Sequence, residues 1–108
     1  MIRVTIRKKE NEIVGFRSEG HAEYDDSGKD IIFAAVSTLV INTINSIDQF
    51  TDDEYEVNED ENNALIDFCL TSDKPSRESL VLLKSLWLGL SAVSVQNTEY
   101  LRILSEEV

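Results

Sequence analysis

Reactive side chains are scarce in this chain, and that narrows its chemistry. There is a single histidine, His21, and a single cysteine, Cys69, far apart in the sequence. One imidazole and one distant thiol offer no metal-ligand spacing, and no glycine-rich loop is present to cradle a phosphate, so no cofactor is expected. His21 taken alone reads as an ordinary loop histidine. Its setting is the stretch Gly20 to Ser37, GHAEYDDSGKDIIFAAVS: a glycine before it, a polar loop after it, then the longest apolar-rich segment of the chain. Asp30 reads as a helix-terminus acid placed against the positive end of the helix dipole, or as an orienter of the loop or the histidine. Ser37 lies one helical turn past Phe33, on the same side, and reads as a small packing residue. Cys69 reads as a packed strand cysteine behaving as a small hydrophobe.

Several elements must hold that stretch. Ile2, Val4 and Ile6 alternate with Arg3, Thr5 and Arg7, a half-buried strand. Glu10 to Glu12 is a polar turn, and Ile13 to Glu19 alternates again with Val14 and Phe16 on one side, so the two runs form a hairpin. Gly20 ends the second strand and turns the backbone into His21. Residues 22–29 have the composition of a loop. A helix is expected from Asp30 to about Phe50, with Phe33, Val36, Val40, Ile44 and Ile47 on one face and Ile32, Leu39 and Ile41 widening the apolar arc. Tyr55 and Val57 mark a third strand, Glu59 to Asn63 a turn, and Ala64 to Leu70 a fourth strand. Ser72 to Pro75 carries a helix start signal. The helix after it sets Leu80, Leu83, Trp87, Leu90 and Ser94 on one face, with Leu82, Leu86 and Val93 beside them. Gly89 in mid-helix implies close packing, against the first helix. Tyr100 to Leu104 suits a short last strand. This order, ββαββα with a short last strand, predicts an α+β two-layer domain: an antiparallel or mixed sheet of four to five strands covered by two helices.

The motif at residues 20–37 resembles the signature of the ribosomal-processing cysteine protease (Prp) family. Gly20-His21-Ala22, Tyr24, Gly28, Asp30-Ile31 and Ala34-Ala35-Val36-Ser37 match in type and spacing. The second half fits only in general layout, through its Leu-rich helix and Tyr100. One position departs: where the family has its nucleophilic cysteine, this chain has Phe33. The resemblance implies a single Prp-like domain over residues 1–108. It also implies a peptidase that removes the N-terminal extension of a bacterial large-subunit ribosomal protein, and a homodimer. It assigns the general-base position to His21, the nucleophile position to Phe33 and a possible orienting role to Asp30, and it places Gly20, Ala22, Tyr24, Gly28 and Ser37 on the substrate side. In such a site a helix N-terminus stabilises the thiolate, the histidine shares its proton, and the loop between them closes over the peptide. A phenyl ring has neither lone pair nor acidic proton, so the chain as written is expected to lack cysteine-protease activity. Three readings stay open: a processing protease altered at one position, a non-catalytic dimer that binds a peptide or ribosomal protein, and a structural or regulatory dimer without a peptide groove.

Composition bounds the partners. A formal net charge of −11 on 108 residues disfavours phosphate backbones and anionic membranes and suits a basic peptide or protein. Glu23, Asp25 and Asp26 could receive such a peptide or form a solvated loop. A lone cysteine excludes an internal disulfide framework and fits a reducing cytoplasm. The N-terminus has no apolar h-region, and no uninterrupted apolar run approaches a membrane span. Residues 22–29, free of alternating apolar side chains, are expected to be the most mobile internal segment. The apolar surface of the helices, Leu86, Trp87 and Leu90 above all, points to a homodimer.

Overall fold

A computed structural model of the chain describes residues 1–20 and 27–108. The elements are β1 (Ile2–Lys9), β2 (Glu12–Glu19), α1 (Ser27–Phe50), β3 (Tyr55–Asp60), a 3-10 turn (Glu61–Asn63), β4 (Leu65–Leu70), α2 (Arg77–Gln96) and β5 (Leu101–Glu107). The expected architecture of two helices on one sheet is the observed one, and the five strands take the order β3-β4-β2-β1-β5. The sheet is mixed, because β5 runs parallel to β1 while the other pairs are antiparallel.

Alternation decides which face is covered. Ile2, Val4, Ile6, Phe16, Phe68 and Leu70 are buried against Ile32, Val36, Val40 and Ile47 of α1 and Leu83, Leu86 and Leu90 of α2. Phe16 and Phe68 are register partners, and their rings stack with centroids 5.4 Å apart. Tyr55 stacks on the other side of Phe68, also at 5.4 Å, carrying the aromatic row across β2, β4 and β3. The opposite, wet face carries Arg3, Arg7, Arg17 and Asp67. There the Arg7 guanidinium donates to both Asp67 oxygens, at 2.5 and 2.9 Å, and to Glu106 at 3.1 Å, bridging β1 to β4 and β5. The hydrogen bond from Arg7 holds the Asp67 carboxyl below the ordinary carboxylate range, against the opposing pull of burial.

Four sequence expectations are corrected. In β2, Arg7 pairs with Gly15 but Lys8 pairs with Ile13, a bulge that leaves Val14 unpaired. The bulge resets the alternation, so Ile13 is buried and Val14 only half-buried. The helix α1 begins at Ser27, three residues ahead of Asp30, because Gly28 disfavours a helix without ending it. The cap of α2 is Ser76, not a residue of 72–75: its hydroxyl accepts from the Ser79 N–H. The buried arc of α2 is Ser79, Leu83, Leu86 and Leu90, which turns Trp87 outward to 40 % exposure. Gly89 does face α1, where Leu39 lies against it.

Asp53, in the connection after α1, ties the two helices together. Its carboxylate accepts from the Ser76 N–H at 3.1 Å, the Ser76 hydroxyl at 2.5 Å and the Ser79 hydroxyl. Burial raises its pKa, but the donors from Ser76, Ser79 and Thr51 outweigh that and hold it below the usual range. Although neither helix is an uninterrupted apolar run, Asp30–Phe50 and Arg77–Gln96 are each long and apolar enough, on average composition, to cross a membrane. Here each lays its most apolar stripe on the sheet.

Candidate functional site

The site forms where β2 ends while β1 and β4 begin, beneath the N-terminal half of α1. Gly20 shapes this corner. It follows the last β2 residue with φ +119°, and a Cβ there would lie 2.4 Å from the Met1 carbonyl oxygen and 3.0 Å from the Ile2 Cα. Only glycine meets both the backbone and the space. Gly20 thereby packs directly on the start of β1.

Beside that corner lies a cavity of about 260 Å³ between the sheet and α1. Its floor is apolar: Ile2 and Ile66 from the sheet, and Phe33, Val36, Val40 and Ile41 from α1, with Ser18 and Ser37 as the small polar groups. The far rim is the end of β3, the turn after it and the start of β4: Glu59, Asp60, Glu61, Ala64 and Leu65. That rim is locally fixed. Asp60 caps the 3-10 turn, accepting from the Asn62 N–H at 3.0 Å and the Asn63 amide at 2.6 Å. Ala64 closes the turn in the left-handed region with φ 48°, an unusual conformation for a residue with a Cβ. A second hollow, of about 330 Å³, adjoins at Leu65 and is bounded by Met1, Arg3, Arg17, Glu19, Gly20 and Asn63.

Of the residues singled out from sequence, the structure brings together Phe33 and Ser37, both lining the cavity, with Gly20 at the adjoining hollow. Phe33 is half-buried and packs against the core while facing the cavity. Asp30 is exposed in the first turn of α1, which also contains Gly28. Since α1 starts at Ser27, position 33 falls in its second turn, beyond the first-turn reach of the helix dipole. His21, Ala22 and Tyr24 lie outside the described residues, as do Glu23, Asp25 and Asp26; the expectation of mobility over 22–29 rests largely on this same segment. Cys69 stands elsewhere, half-buried in β4 with its thiol directed at the Leu70 carbonyl at 3.4 Å, and does not line the cavity of Phe33. Among the described residues no group of three or more His, Cys, Asp or Glu side chains could hold a metal ion.

Sequence reading missed the opposite wall. Ile2 and Ile66 carried a strand signal but nothing to say that they would floor a cavity. The consecutive acids Glu59-Asp60-Glu61 were legible only as a turn, because their distance from α1 is set by strand pairing across the sheet.

Comparison with known proteins bears on this arrangement. A model of the family described as cysteine protease Prp matches residues 1–102. The ribosomal processing cysteine protease Prp of Staphylococcus aureus is 26% identical over 95 residues, covering 87% of this chain and 88% of that protein. A crystal structure of the essential ribosomal processing protease Prp from S. aureus, in complex with a substrate peptide, superposes with a TM-score of 0.89 at 21% identity, over 98% of this chain and 100% of the other. A crystal structure of a Streptococcus mutans protein superposes with a TM-score of 0.88 at 22% identity, over 100% and 96% of the two chains.

Proposed function

This chain belongs to the cysteine protease Prp family, and from that membership we propose that it binds a peptide segment of a ribosomal protein in the cavity beneath α1 without cleaving it by thiol chemistry. The observation that carries this reading is Phe33. Phe33 lines the cavity; taken as the family's nucleophile position, as the motif at residues 20–37 suggests, it offers a ring in place of a thiol. A ring cannot attack a carbonyl, and it occupies the space a scissile bond would need. The surroundings still suit a peptide. An apolar floor takes a hydrophobic side chain, and small polar groups at Ser18 and Ser37 leave room for the backbone. His21 keeps the general-base position in this proposal, with Asp30 as its orienter and Gly20, Ala22, Tyr24 and Gly28 on the substrate side, but no thiol is left to activate. Cys69 is not in the cavity, and Ser37 lies a turn deeper on α1.

The proposal extends to assembly and place. Leu86 and Leu90 are buried within the monomer, so they do not drive association. The apolar groups left outside on α2 are Val81, Leu88 and Val95, seven residues apart and 53 to 78 % exposed, with Trp87 beside them. We assign the homodimer contact to this stripe. The single cysteine and the acidic charge fit a cytoplasmic protein.

The test is to incubate the unaltered protein with the N-terminal extension peptide of a large-subunit ribosomal protein, following binding by fluorescence anisotropy and integrity by mass spectrometry. Saturable binding of a peptide that stays intact is expected. Cleavage abolished by thiol alkylation would overturn the proposal.

A further inference from the structure

A hydroxyl buried without a partner costs free energy, so a protein that keeps one has a use for it. Among the described residues three polar side chains are buried: Ser18, Thr43 and Ser79. Thr43 donates to the Leu39 carbonyl at 2.8 Å, and Ser79 donates to Asp53. Ser18 is only 8 % exposed, yet its hydroxyl has no partner among the described residues. It stands on the covered face of β2, between Val4 of β1 and Ile66 of β4, where an apolar side chain would complete the surface. The oxygen is not sealed in, since no sealed side-chain oxygen or nitrogen among the described residues lacks a partner; its opening is the cavity beneath α1, which Ser18 lines. Ser37, the other serine there, sits on a helix. A helical hydroxyl can turn back to the carbonyl four residues earlier, as those of Thr38 and Thr43 do on α1. Ser18 has no such recourse, because the carbonyls around it lie in the plane of the sheet and serve the ladder.

We infer that Ser18 sets the specificity of the cavity: its hydroxyl meets the tip of the side chain seated there and selects tyrosine over phenylalanine. This rests on the peptide-binding reading above and names the side chain that the cavity takes. The lining calls for an apolar body with a hydrogen-bonding end. Ile2, Ile66, Phe33, Val36 and Val40 give a ring apolar walls. β2 is the middle strand of the sheet, so Ser18 lies inward of the rim at β3 and β4, and a side chain entering past that rim reaches it with its tip. Tyrosine buries its ring and gives its phenol a partner. Phenylalanine covers the Ser18 hydroxyl and leaves it unsatisfied. A neutral hydrogen bond of this kind is worth roughly two- to twelvefold in affinity.

The probe is a displayed library of peptides with identically randomised flanks and either tyrosine or phenylalanine at the centre, offered in competition to the immobilised full chain and counted by sequencing. Tyrosine should be retained over phenylalanine by roughly two- to twelvefold. In Ser18→Ala the ratio should fall to one or below, because the phenol then lacks its partner. The urea midpoint of Ser18→Ala without peptide should be unchanged or higher, since the hydroxyl removed has no internal partner to lose. Equal retention of the two anchors, a preference for phenylalanine, or a tyrosine preference that survives Ser18→Ala would overturn the inference and leave the peptide-binding reading standing. So would a folded Ser18→Ala protein that retains neither anchor, or a lowered midpoint, which would mean that the hydroxyl serves the fold. Failure of the unaltered protein to retain any peptide would overturn both.

Discussion

Replacing Asp53 by alanine should be among the costliest single changes at a residue outside the apolar core. The carboxylate receives the Ser76 N–H, the Ser76 hydroxyl and the Ser79 hydroxyl, joining the end of α1 to the first turn of α2. A hydrogen bond to a charged group contributes about 1.5–3 kcal/mol net, and water can replace part of this around half-exposed Ser76. Ser79 is fully buried, and without Asp53 its hydroxyl is left with Thr51 Oγ1 at 3.3 Å. The sum is about 2–4 kcal/mol, a large share of the roughly 5–15 kcal/mol typical of a whole domain. Urea denaturation followed by circular dichroism reads it directly. Ser76→Ala should cost about 1 kcal/mol, the usual worth of an N-cap. The pH dependence gives an independent check. Asp53 has a folded pKa below its unfolded value, so its contribution is complete above the ordinary carboxylate range and is lost as pH falls through the lowered value. The gap in stability between the unaltered protein and Asp53→Ala should therefore narrow below about pH 4. A cost under about 1 kcal/mol for Asp53→Ala, or a gap that does not change with acid, would refute the cluster as described.

Two glycines give opposite expectations. Gly20→Ala must move the Met1 carbonyl and adopt φ +119°, so it should destabilise the protein by more than about 1 kcal/mol and raise amide exchange at the start of β1. Gly89→Ala should stabilise it by about 1 kcal/mol, since alanine is the better helix former and its methyl would meet Leu39 at an ordinary 3.4 Å, raising Tm by roughly 4–8 °C.

The sequence carried the fold because period is local. Strict alternation in Ile2, Val4 and Ile6 and in Ile66, Phe68 and Leu70, against three- and four-residue steps in Val36, Val40 and Ile47, separates strands from helices without tertiary knowledge. It failed where a partner decides. The β2 bulge exists only relative to β1, so Val14 and Ile13 could not be told apart in advance. Ser76 was preferred over Ser72 as the cap because Asp53, distant in sequence, holds it. Trp87 and Leu86 are neighbours on one helix, and only the direction of the sheet selects Leu86 for burial. At the site, residues 20–37 announced themselves by motif, while the Glu59–Glu61 rim was invisible until strand pairing brought β3 and β4 beside α1.

The central claim is that position 33 is where the family's chemistry would occur and that its phenylalanine is what removes it. Phe33→Cys tests this most directly. The change gives up a half-buried ring, costing about 2 kcal/mol, less than the roughly 3–5 kcal/mol of a fully buried phenylalanine, so the variant should remain folded. Position 33 lies in the second turn of α1, beyond the first-turn reach of the helix dipole, so on the proposed reading a thiol there would depend on His21 for its activation. Incubated with the ribosomal-protein extension peptide, Phe33→Cys should release a cleaved product that is absent with the unaltered protein, and His21→Ala in the same background should abolish it. An unaltered protein that cleaves as well as Phe33→Cys, or a folded variant whose thiol is alkylated at the rate of a free cysteine and which leaves the peptide intact, would contradict the claim.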